Sequence, residues 1–350
     1  MAGALSLPGY TLRRMAAWEE ALRAEGWILE VLKDPLAWPL PGRITKGKVR
    51  GNLFGVAIGD ALGAPNEGKR PWWIKEPVTK LRPHHGHPAG TVTDDTELTL
   101  ALAESLLEKG GFDPEDFVKR LIARGRRMVG GGRATREALA RLEKGVPWWQ
   151  AGTPSAGNGA AMRASPAGLF FEDTSEARRV AFLQGLPTHK DRSALAGAIL
   201  NALLVGALAR GAAPEPRSLL PWLKAAIAGL EVPLKTRVSP RRLTTLAEEL
   251  DAVPDYVGRP EAAFKHFGVG AFVLETLPSA LALFLTYPGD PEAALLTAAN
   301  AGFDSDTLAS LVGGWLGAHL GDRGLRSKTP SDWWEVSVKG EIERLSKLGS

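Results

Sequence analysis

The feature of this sequence that most constrains its fold is a stripe of five glycines spaced four residues apart. They occupy positions 47, 51, 55, 59 and 63, in a segment whose pattern predicts a helix over roughly 48–62. Residues four apart share one helix face, and glycine inside a helix costs about 1 kcal/mol relative to alanine. The stripe therefore predicts close approach of another backbone. Such spacing also occurs in membrane helix dimers, but the charged residues Lys46, Lys48, Arg50 and Asp60 favour a tightly packed helix in a soluble core.

Two short acidic clusters each open a run with helical apolar spacing. The first is Thr93–Thr96 (TDDT) and the second, two hundred residues later, is Asp304–Thr307 (DSDT). Leucines follow the first cluster four apart, and a comparable apolar face follows the second. Both patterns predict helix N-termini that carry carboxylates and hydroxyls.

Either cluster alone is explained by capping, because Thr, Asp and Ser are preferred at helix starts. Taken together they point further, since one helix start needs one capping side chain and each cluster carries two acids. Adjacent like charges repel unless a cation sits between them. Carboxylate and hydroxyl oxygens suit Mg²⁺ or Mn²⁺, and two such clusters can hold a pair of ions about 3.5 to 4 Å apart. We therefore predict a two-metal site.

Composition limits the other possibilities. The 350 residues are 44% hydrophobic, which is ample for a core, and the formal net charge is only +4 without a long basic run. This balance argues against a dedicated nucleic-acid surface and weakly favours an anionic small-molecule substrate. The absence of cysteine excludes disulfides, Cys-ligated metals and thiol nucleophiles. We see no signal peptide and no apolar run of membrane-spanning length, so we expect no membrane partner and a cytoplasmic location.

Convincing strands are nearly absent, so we predict an all-α fold with one compact multi-helix domain over residues 47–350 and an N-terminal helical appendage over residues 1–46. Helical spacing runs over 11–32, and an apolar helix over 193–209 is expected to be central and buried. The helix over 271–286 contains Pro278, which we expect to kink or break it. Residues 214–265 form the expected surface excursion, and Trp333 and Trp334 are expected to pack at the surface.

Several loops have two readings. Asp60 and Glu67, near the end of the glycine-striped helix, can be local hydrogen-bonding or solvated acids, or members of a site. The histidines at 84, 85 and 87 lack helix or strand spacing, so we expect them in a solvent-exposed loop. The run Gly130–Gly132 can cradle a phosphate or act as a hinge. The stretch 151–168 is predicted to be a long small-residue loop, whose Arg163 could pair with a diphosphate.

The motifs GVAIGDALGAPNE (55–67), GTVTDDT (90–96), GNGAAMR (157–163), Thr188-His189 and DSDT (304–307) occur in an order that resembles the ADP-ribosylglycohydrolase family, which includes the dinitrogenase reductase-activating glycohydrolases. The resemblance covers roughly residues 47–320. It implies an all-helical fold with two Mg²⁺ or Mn²⁺ ions, which cleaves the glycosidic bond between ADP-ribose and an acceptor such as arginine or serine. An oxocarbenium-like transition state fits a carboxylate-rich site independently.

The resemblance also implies roles for individual residues. The implied metal ligands are Thr93, Asp94, Asp95, Asp304, Asp306 and Thr307. The implied catalytic residues are Glu67, Asp94 and Asp95, with Glu67 as the candidate acid/base. The implied substrate-binding positions, which would line the ADP-ribose site, are Gly131, Gly132, Gly157, Asn158, Gly159, Met162, Arg163 and His189.

Two other functions are compatible with these residues. One is a non-catalytic ADP-ribose-binding or structural relative that kept the fold, and the other is a two-metal phosphoesterase acting on a nucleotide. Retention of all six implied ligands argues against the first. The reaction product distinguishes the three, because a glycohydrolase releases ADP-ribose and a phosphoesterase releases AMP or phosphate. The motifs leave open whether the substrate carries ADP-ribose on arginine, on serine or on another modified group, or is a small ADP-ribose derivative. They also leave open the native metal and the oligomeric state.

Overall fold

The structure is a computed structural model that describes residues 19–27, 29, 32, 36–236, 238, 240 and 242–348. Residues 19–24 are helical, and the rest of the helix predicted over 11–32 lies largely outside the described residues. The segment before the first long helix is docked on the body. The indole of Trp38 donates to the Glu172 carbonyl, and the indole of Trp222 donates to the Ala37 carbonyl.

Apart from one small two-stranded sheet, the regular secondary structure of the described chain is helical, which confirms the predicted fold class. In chain order the α-helices are α1 (Lys46–Gly63), α2 (Asp94–Lys109), α3 (Pro114–Gly125), α4 (Arg133–Glu143), α5 (Trp148–Ala151), α6 (Gly159–Met162), α7 (Ser165–Phe170), α8 (Thr174–Gly185), α9 (Arg192–Ala209), α10 (Pro216–Ile227), α11 (Leu246–Ala252), α12 (Pro260–Phe267), α13 (Val273–Thr286), α14 (Pro291–Ala299), α15 (Ser305–Arg326) and α16 (Lys339–Leu348). Short 3₁₀ turns cover Ala64–Asn66, Pro71–Trp73, Val253–Tyr256 and Ser331–Trp334.

The glycine stripe of α1 packs against the backbone of α15. A Cβ atom added at Gly55 would meet the Gly313 carbonyl, and one added at Gly59 would meet the Ala309 carbonyl, both well inside the 3.0 Å that real Cβ atoms keep. Because the partner number falls as the α1 number rises, the two helices are antiparallel. This contact confirms the predicted backbone approach and brings the C-terminus of α1 to the N-terminus of α15.

The predicted central helix is confirmed as α9, which is the one helix in the described part of the chain with the length and apolar composition of a membrane span. Of that apolar window, 94% is buried inside the protein. Asn201, which interrupts it, donates to the Ala161 carbonyl and accepts from the Trp315 indole. Burial by neighbouring helices accounts for the uniformly apolar sequence.

Two expectations about local structure were wrong, those for the loop over 151–168 and for Trp333 and Trp334, and the structure adds detail at Pro278 and in the excursion over 214–265. The predicted loop over 151–168 contains α6 and most of α7. The helix α13 runs through Pro278 without a break. The excursion over 214–265 contains a small antiparallel hairpin, β1 (Leu234–Lys235) paired with β2 (Leu243–Thr244), in which Leu234 faces Thr244. Trp333 and Trp334 are buried, and the ring centroids of Phe54 and Trp334 lie 4.8 Å apart, so these indoles belong to the core.

Candidate metal and ligand site

The first acidic cluster forms the start of α2, and its capping comes from a distant carboxylate. Thr93 is the N-cap residue, but its side chain makes no capping bond within the helix. Instead, buried Asp60 of α1 accepts from the backbone amides and hydroxyls of Thr93 and Thr96. The distances include 2.8 Å from Thr93 Oγ1 to Asp60 Oδ1 and 3.1 Å from the Thr96 amide nitrogen to Asp60 Oδ2. Asp94 and Asp95 are therefore not needed for capping.

The glycine run after α3 is attached to this cluster. The Gly131 amide donates to Asp94 Oδ1 at 2.8 Å, and the Asp94 amide donates to the Val129 carbonyl at 3.0 Å. Gly130 and Gly131 have φ values of 80° and 94°, which favour glycine. A Cβ atom added at Gly132 would meet no atom within 4 Å. The glycine run is thus held in place at Gly131 by its bond to Asp94, whereas the space beside Gly132 is free of other protein atoms.

The second acidic cluster forms the start of α15, with Asp304 as its N-cap residue and no side-chain capping bond. The Asn158 side-chain amide donates to Asp304 Oδ2. The Thr307 hydroxyl donates to Asp95 Oδ2 at 3.2 Å, which joins the two helix starts directly. Both clusters are helix N-termini, as predicted, and they meet.

Glu67 joins the clusters from the loop that follows α1. A carboxylate oxygen from each of Glu67, Asp304 and Asp306 can be chosen so that all three lie within 4.8 Å of one another. The backbone on either side of Glu67 is fixed, since the Asn66 side chain donates to the Ala299 carbonyl and the Gly68 amide donates to the Phe303 carbonyl. Glu67 is therefore held at the cluster, although it lies in a loop.

Three buried carboxylate oxygens at this point have no hydrogen-bond partner among the described residues. They are Oε2 of Glu67, Oδ1 of Asp95 and Oδ1 of Asp306. A buried acceptor left without a partner loses its hydration without compensation. Such oxygens are expected where a cation completes the site, and an all-oxygen donor set suits Mg²⁺ or Mn²⁺.

The charges of the clusters raise one another's pKa values. Burial, and then the charges of Asp60 and Glu67, raise the pKa of Asp94 to about 7. Burial is also the main cause that raises the pKa of Asp304 to about 6. Burial and neighbouring aspartates raise the pKa values of Asp95 and Asp306 well above the ordinary value. A cation between the helix starts would offset this repulsion, so the residues present fit the metal pair.

The predicted ligand-lining loop at 157–163 is supported by Arg163, whose guanidinium is fully buried. It donates to Gln184 Oε1 at 2.8 Å, to the Gly159 carbonyl at 2.9 Å and to Thr188 Oγ1 at 2.8 Å. Burial lowers the pKa of Arg163 to about 9. Because these donors are engaged inside the protein, Arg163 does not present its guanidinium to a diphosphate as the sequence suggested. It positions the loop instead.

His189 lies against the same loop. Its Nδ1 atom is 2.8 Å from Thr188 Oγ1, and burial together with the Arg163 charge lowers its pKa to about 3, so the ring is neutral. A Cβ atom added at Gly157 would lie 3.3 Å from His189 Nε2, and one added at Gly159 would lie 2.8 Å from His189 Cε1. The position of the imidazole ring therefore depends on glycine at both places. The remaining predicted position, Met162, has its side chain in the core.

The histidine-rich loop is not uniformly exposed as expected. His84 is buried and its Nε2 lies 2.8 Å from the Thr91 carbonyl oxygen, and His84 pairs with His87 across a tight turn. His85 is exposed, and its Nε2 lies 4.0 Å from Glu67 Oε2. Sequence inspection undervalued His84 and Asp60. For Asp60, the available signal was an acid in the otherwise apolar second half of α1.

Comparisons with known proteins agree with this geometry. The family model of ADP-ribosylglycohydrolase matches residues 42–348. An uncharacterized protein of Archaeoglobus fulgidus is 32% identical over 77% of this chain and 87% of its own length. The mouse (Mus musculus) ADP-ribosylhydrolase ARH3 is 27% identical over 82% of this chain and 86% of its own, and the ADP-ribosylarginine hydrolase Tri1 of Serratia proteamaculans is 28% identical over 88% and 80%. A solved structure named as an ADP-ribosylglycohydrolase-related protein complex is similar with a TM-score of 0.66 and 30% identity, over 87% of this chain and 97% of that one.

Proposed function

Because this chain belongs to the ADP-ribosylglycohydrolase family, we propose that it hydrolyses the glycosidic bond between ADP-ribose and an acceptor in a reaction that depends on two divalent cations. Family membership supports hydrolysis of ADP-ribose linkages. The names of two relatives, an ADP-ribosylhydrolase and an ADP-ribosylarginine hydrolase, support an ADP-ribosylated substrate, and we propose that the modified group belongs to a protein.

The observation that carries the metal dependence is the group of partnerless oxygens on Glu67, Asp95 and Asp306. Asp95 and Asp306 lie in the first turns of two helices that the Thr307–Asp95 hydrogen bond joins. Glu67 can place a carboxylate oxygen within 4.8 Å of one from Asp306. Without cations this arrangement combines desolvation with like-charge repulsion. A bound cation would offset both costs, and Mg²⁺ or Mn²⁺ matches the donor chemistry.

Each residue has a role in this proposal. The cation ligands would be Thr93, Asp94, Asp95, Asp304, Asp306 and Thr307. When bound, the ions would supply charge stabilisation and a water of lowered pKa. The Thr93 hydroxyl donates its hydrogen bond to Asp60, so the lone pairs of the Thr93 oxygen are available to a cation. Glu67 is the candidate acid/base, because one of its oxygens can lie within 4.8 Å of oxygens of Asp304 and Asp306, and its Oε2 atom accepts no hydrogen bond from the described residues.

The ADP-ribose moiety would lie along the glycine run and the loop at 157–159. Gly131 and Asn158 each contact an acid of the cluster, so a sugar held there is next to the reacting centre. His189 Nε2 borders the same loop and is neutral, so it can exchange hydrogen bonds without adding charge. Gly132 leaves room for a phosphate to approach the backbone amides.

The test is release of ADP-ribose from arginine-linked and serine-linked ADP-ribosylated peptides, with Mg²⁺, with Mn²⁺ and with chelator. Metal-dependent release from one linkage is the expected result, and it also identifies the acceptor. Release of AMP or phosphate would assign a phosphoesterase. Tight ADP-ribose binding without release from either linkage would assign a different acceptor or the non-catalytic relative, and full activity in chelator would exclude the metal dependence.

A further inference from the structure

The loop after Glu67 is clamped onto the segment before Asp304 at both of its ends. Near its start, the Gly68 amide donates to the Phe303 carbonyl at 2.6 Å and the Phe303 amide donates to the Lys69 carbonyl at 2.7 Å. At its end, Val78 exchanges two hydrogen bonds with the Asn300 side chain, at 2.7 and 2.9 Å. The loop is therefore a preorganised part of the site wall, continuous with two acids of the cluster.

This wall exposes three aromatic side chains. Trp72, Trp73 and Phe303 are 69%, 57% and 42% exposed. We call these three residues the aromatic rim. The other exposed large hydrophobic residues of the described chain are aliphatic and lie elsewhere in the sequence. Exposed apolar surface costs free energy of hydration, and its concentration beside a site indicates a binding surface.

Backbone strain is concentrated at the same place. Among the described residues, the non-glycine residues with positive φ are His85, at 50°, and Phe303, at 53°. His85 lies 4.0 Å from the Glu67 carboxylate, and Phe303 accepts a hydrogen bond from the Gly68 amide and donates one to the Lys69 carbonyl. Such a conformation in a bulky residue costs on the order of 1 to 3 kcal/mol, and glycine would remove that cost. Keeping an exposed phenyl ring there indicates that the ring itself is used.

The rim can receive planar and cationic groups. The Arg70 guanidinium lies 5.5 Å from the Trp72 ring centroid and 5.2 Å from that of Trp73. The chain thus already places a guanidinium against both indoles, as in cation–π contacts. A peptide offers comparable groups, including planar amides, arginine and lysine side chains and apolar side chains.

The position of the rim selects its occupant. The proposed ADP-ribose positions contact the cluster through Gly131 and Asn158, which belong to other segments. The rim adjoins the cluster through the chain, because Gly68 follows Glu67 and bonds to Phe303, which precedes Asp304. We propose that the aromatic rim binds the polypeptide that carries the ADP-ribosyl group, on both sides of the modified side chain. This inference rests on the proposed function, because it takes the acid cluster as the place where the bond is broken.

The test compares the affinity of the protein for a short ADP-ribosylated peptide with its affinity for free ADP-ribose. It uses a Glu67→Gln background with Mg²⁺, in which turnover should be slow, and both arginine-linked and serine-linked peptides. We expect one peptide to bind at least about tenfold tighter than ADP-ribose, since aromatic anchors dominate binding at interfaces. The Trp72→Ala/Trp73→Ala double variant and Phe303→Gly should each reduce that ratio towards one.

Phe303→Gly is chosen because glycine adopts the observed φ without strain, so its melting temperature should not fall. Leu243→Ala, at a 58% exposed aliphatic residue of β2, is the matched control and should keep the wild-type ratio. Equal affinities for peptide and ADP-ribose in the parent protein, or an unchanged ratio in both rim variants, would overturn the proposal. So would a dimer in sedimentation that the rim variants lose, because the rim would then bind a second copy.

The two proposals fail separately. A protein that releases no ADP-ribose but binds the modified peptide through the rim would contradict the proposed function and keep the rim assignment. A protein that releases ADP-ribose while its affinity for the peptide is independent of the rim would do the reverse.

Discussion

The two acidic helix starts have similar sequences but are held in different ways. The start of α2 is bound to a buried carboxylate, since Asp60 accepts hydrogen bonds from Thr93 and Thr96. The start of α15 is held by its backbone, because Gly63 leaves no room between α1 and Ser305, whose hydroxyl donates to the Gly63 carbonyl at 2.9 Å. Apart from the Ser305 hydroxyl, the side chain that supports this start is Asn158, whose neutral amide donates to Asp304.

The difference shows that the first cluster is supported by a charged side chain and the second mainly by close packing of two helix backbones. Asp60 satisfies four donors but adds a negative charge behind Asp94 and Asp95, and it helps to raise their pKa values. Backbone contact and an amide add no charge behind Asp304. We infer that geometry at α2 depends more on hydrogen bonding to one carboxylate, whereas geometry at α15 depends on helix-to-helix distance.

The largest expected effect is loss of a cation ligand from either cluster. Asp95→Ala and Asp306→Ala should each abolish Mg²⁺ binding and turnover, because both side chains have a buried oxygen without a partner. The wild-type protein should gain about 2.7 kcal/mol of stability at a Mg²⁺ concentration of 100 times Kd, and both variants should gain none. Denaturant unfolding with and without Mg²⁺ measures this. Neither chain should unfold without metal, because each substitution removes a repelling charge, and full activity in either variant would exclude the two-metal site.

Removing the side chain that supports each cluster, Asp60 for α2 and Asn158 for α15, should reveal the difference between the two helix starts. Asp60→Ala leaves the amides of Thr93 and Thr96 without acceptors and should lower the free energy of unfolding by at least about 2 kcal/mol. Asn158→Ala removes one amide donor from Asp304 and should cost less stability, although it should weaken metal affinity by about 10- to 100-fold, as loss of a group that orients a ligand does. Urea unfolding and Mg²⁺ titration of both variants test this. Equal losses of stability would contradict the assigned difference.

The third prediction tests the role of shape at α15. A Cβ atom on Gly63 would overlap the Ser305 carbonyl, so Gly63→Ala should move the DSDT start and cost about 1 to 3 kcal/mol. Gly47→Ala is the matched control at the far end of the stripe, where the nearest atom is Asp322 Oδ1 at 3.0 Å, on a side chain that can turn away. It should be neutral or stabilising, because alanine favours helix. Thermal unfolding measures both, and a harmless Gly63→Ala would contradict backbone control.

Much of this arrangement follows from local sequence patterns. The glycine stripe predicted a close backbone partner, and the acidic clusters predicted two helix starts, because both signals depend on helix periodicity and capping. The short helices α6 and α7 escaped prediction because Gly, Pro and Ala over a few residues give no clear period. Of the two outcomes expected at Pro278, the structure excludes the break, because α13 runs through the proline.

The supports of the site could not be predicted because they join residues far apart in sequence. Asp60 lies 33 residues from Thr93, and Asn158 lies 146 residues from Asp304. Burial also decides how a side chain is used. Arg163 looked like a ligand-binding cation in the sequence, but its position beneath α6 engages its donors with Gln184 and Thr188.

The last expected effect is a pH dependence of the stability of the metal-free protein. Folding raises the pKa of Asp94 to about 7 and those of Asp60 and Asp304 to about 6, so between about pH 8 and 5 the folded chain binds more protons than the unfolded chain. The free energy of unfolding should therefore rise as pH falls through this window. The stabilisation by Mg²⁺ should shrink over the same window, because protons compete with the ion for the same oxygens. Asp60→Asn should lower the pKa of Asp94 and weaken the upper part of this dependence, because it removes the charge behind the α2 cluster. Chemical unfolding of metal-free protein across this range tests the sign, and a stability that falls towards pH 5 would show that the carboxylates do not repel one another as the structure indicates.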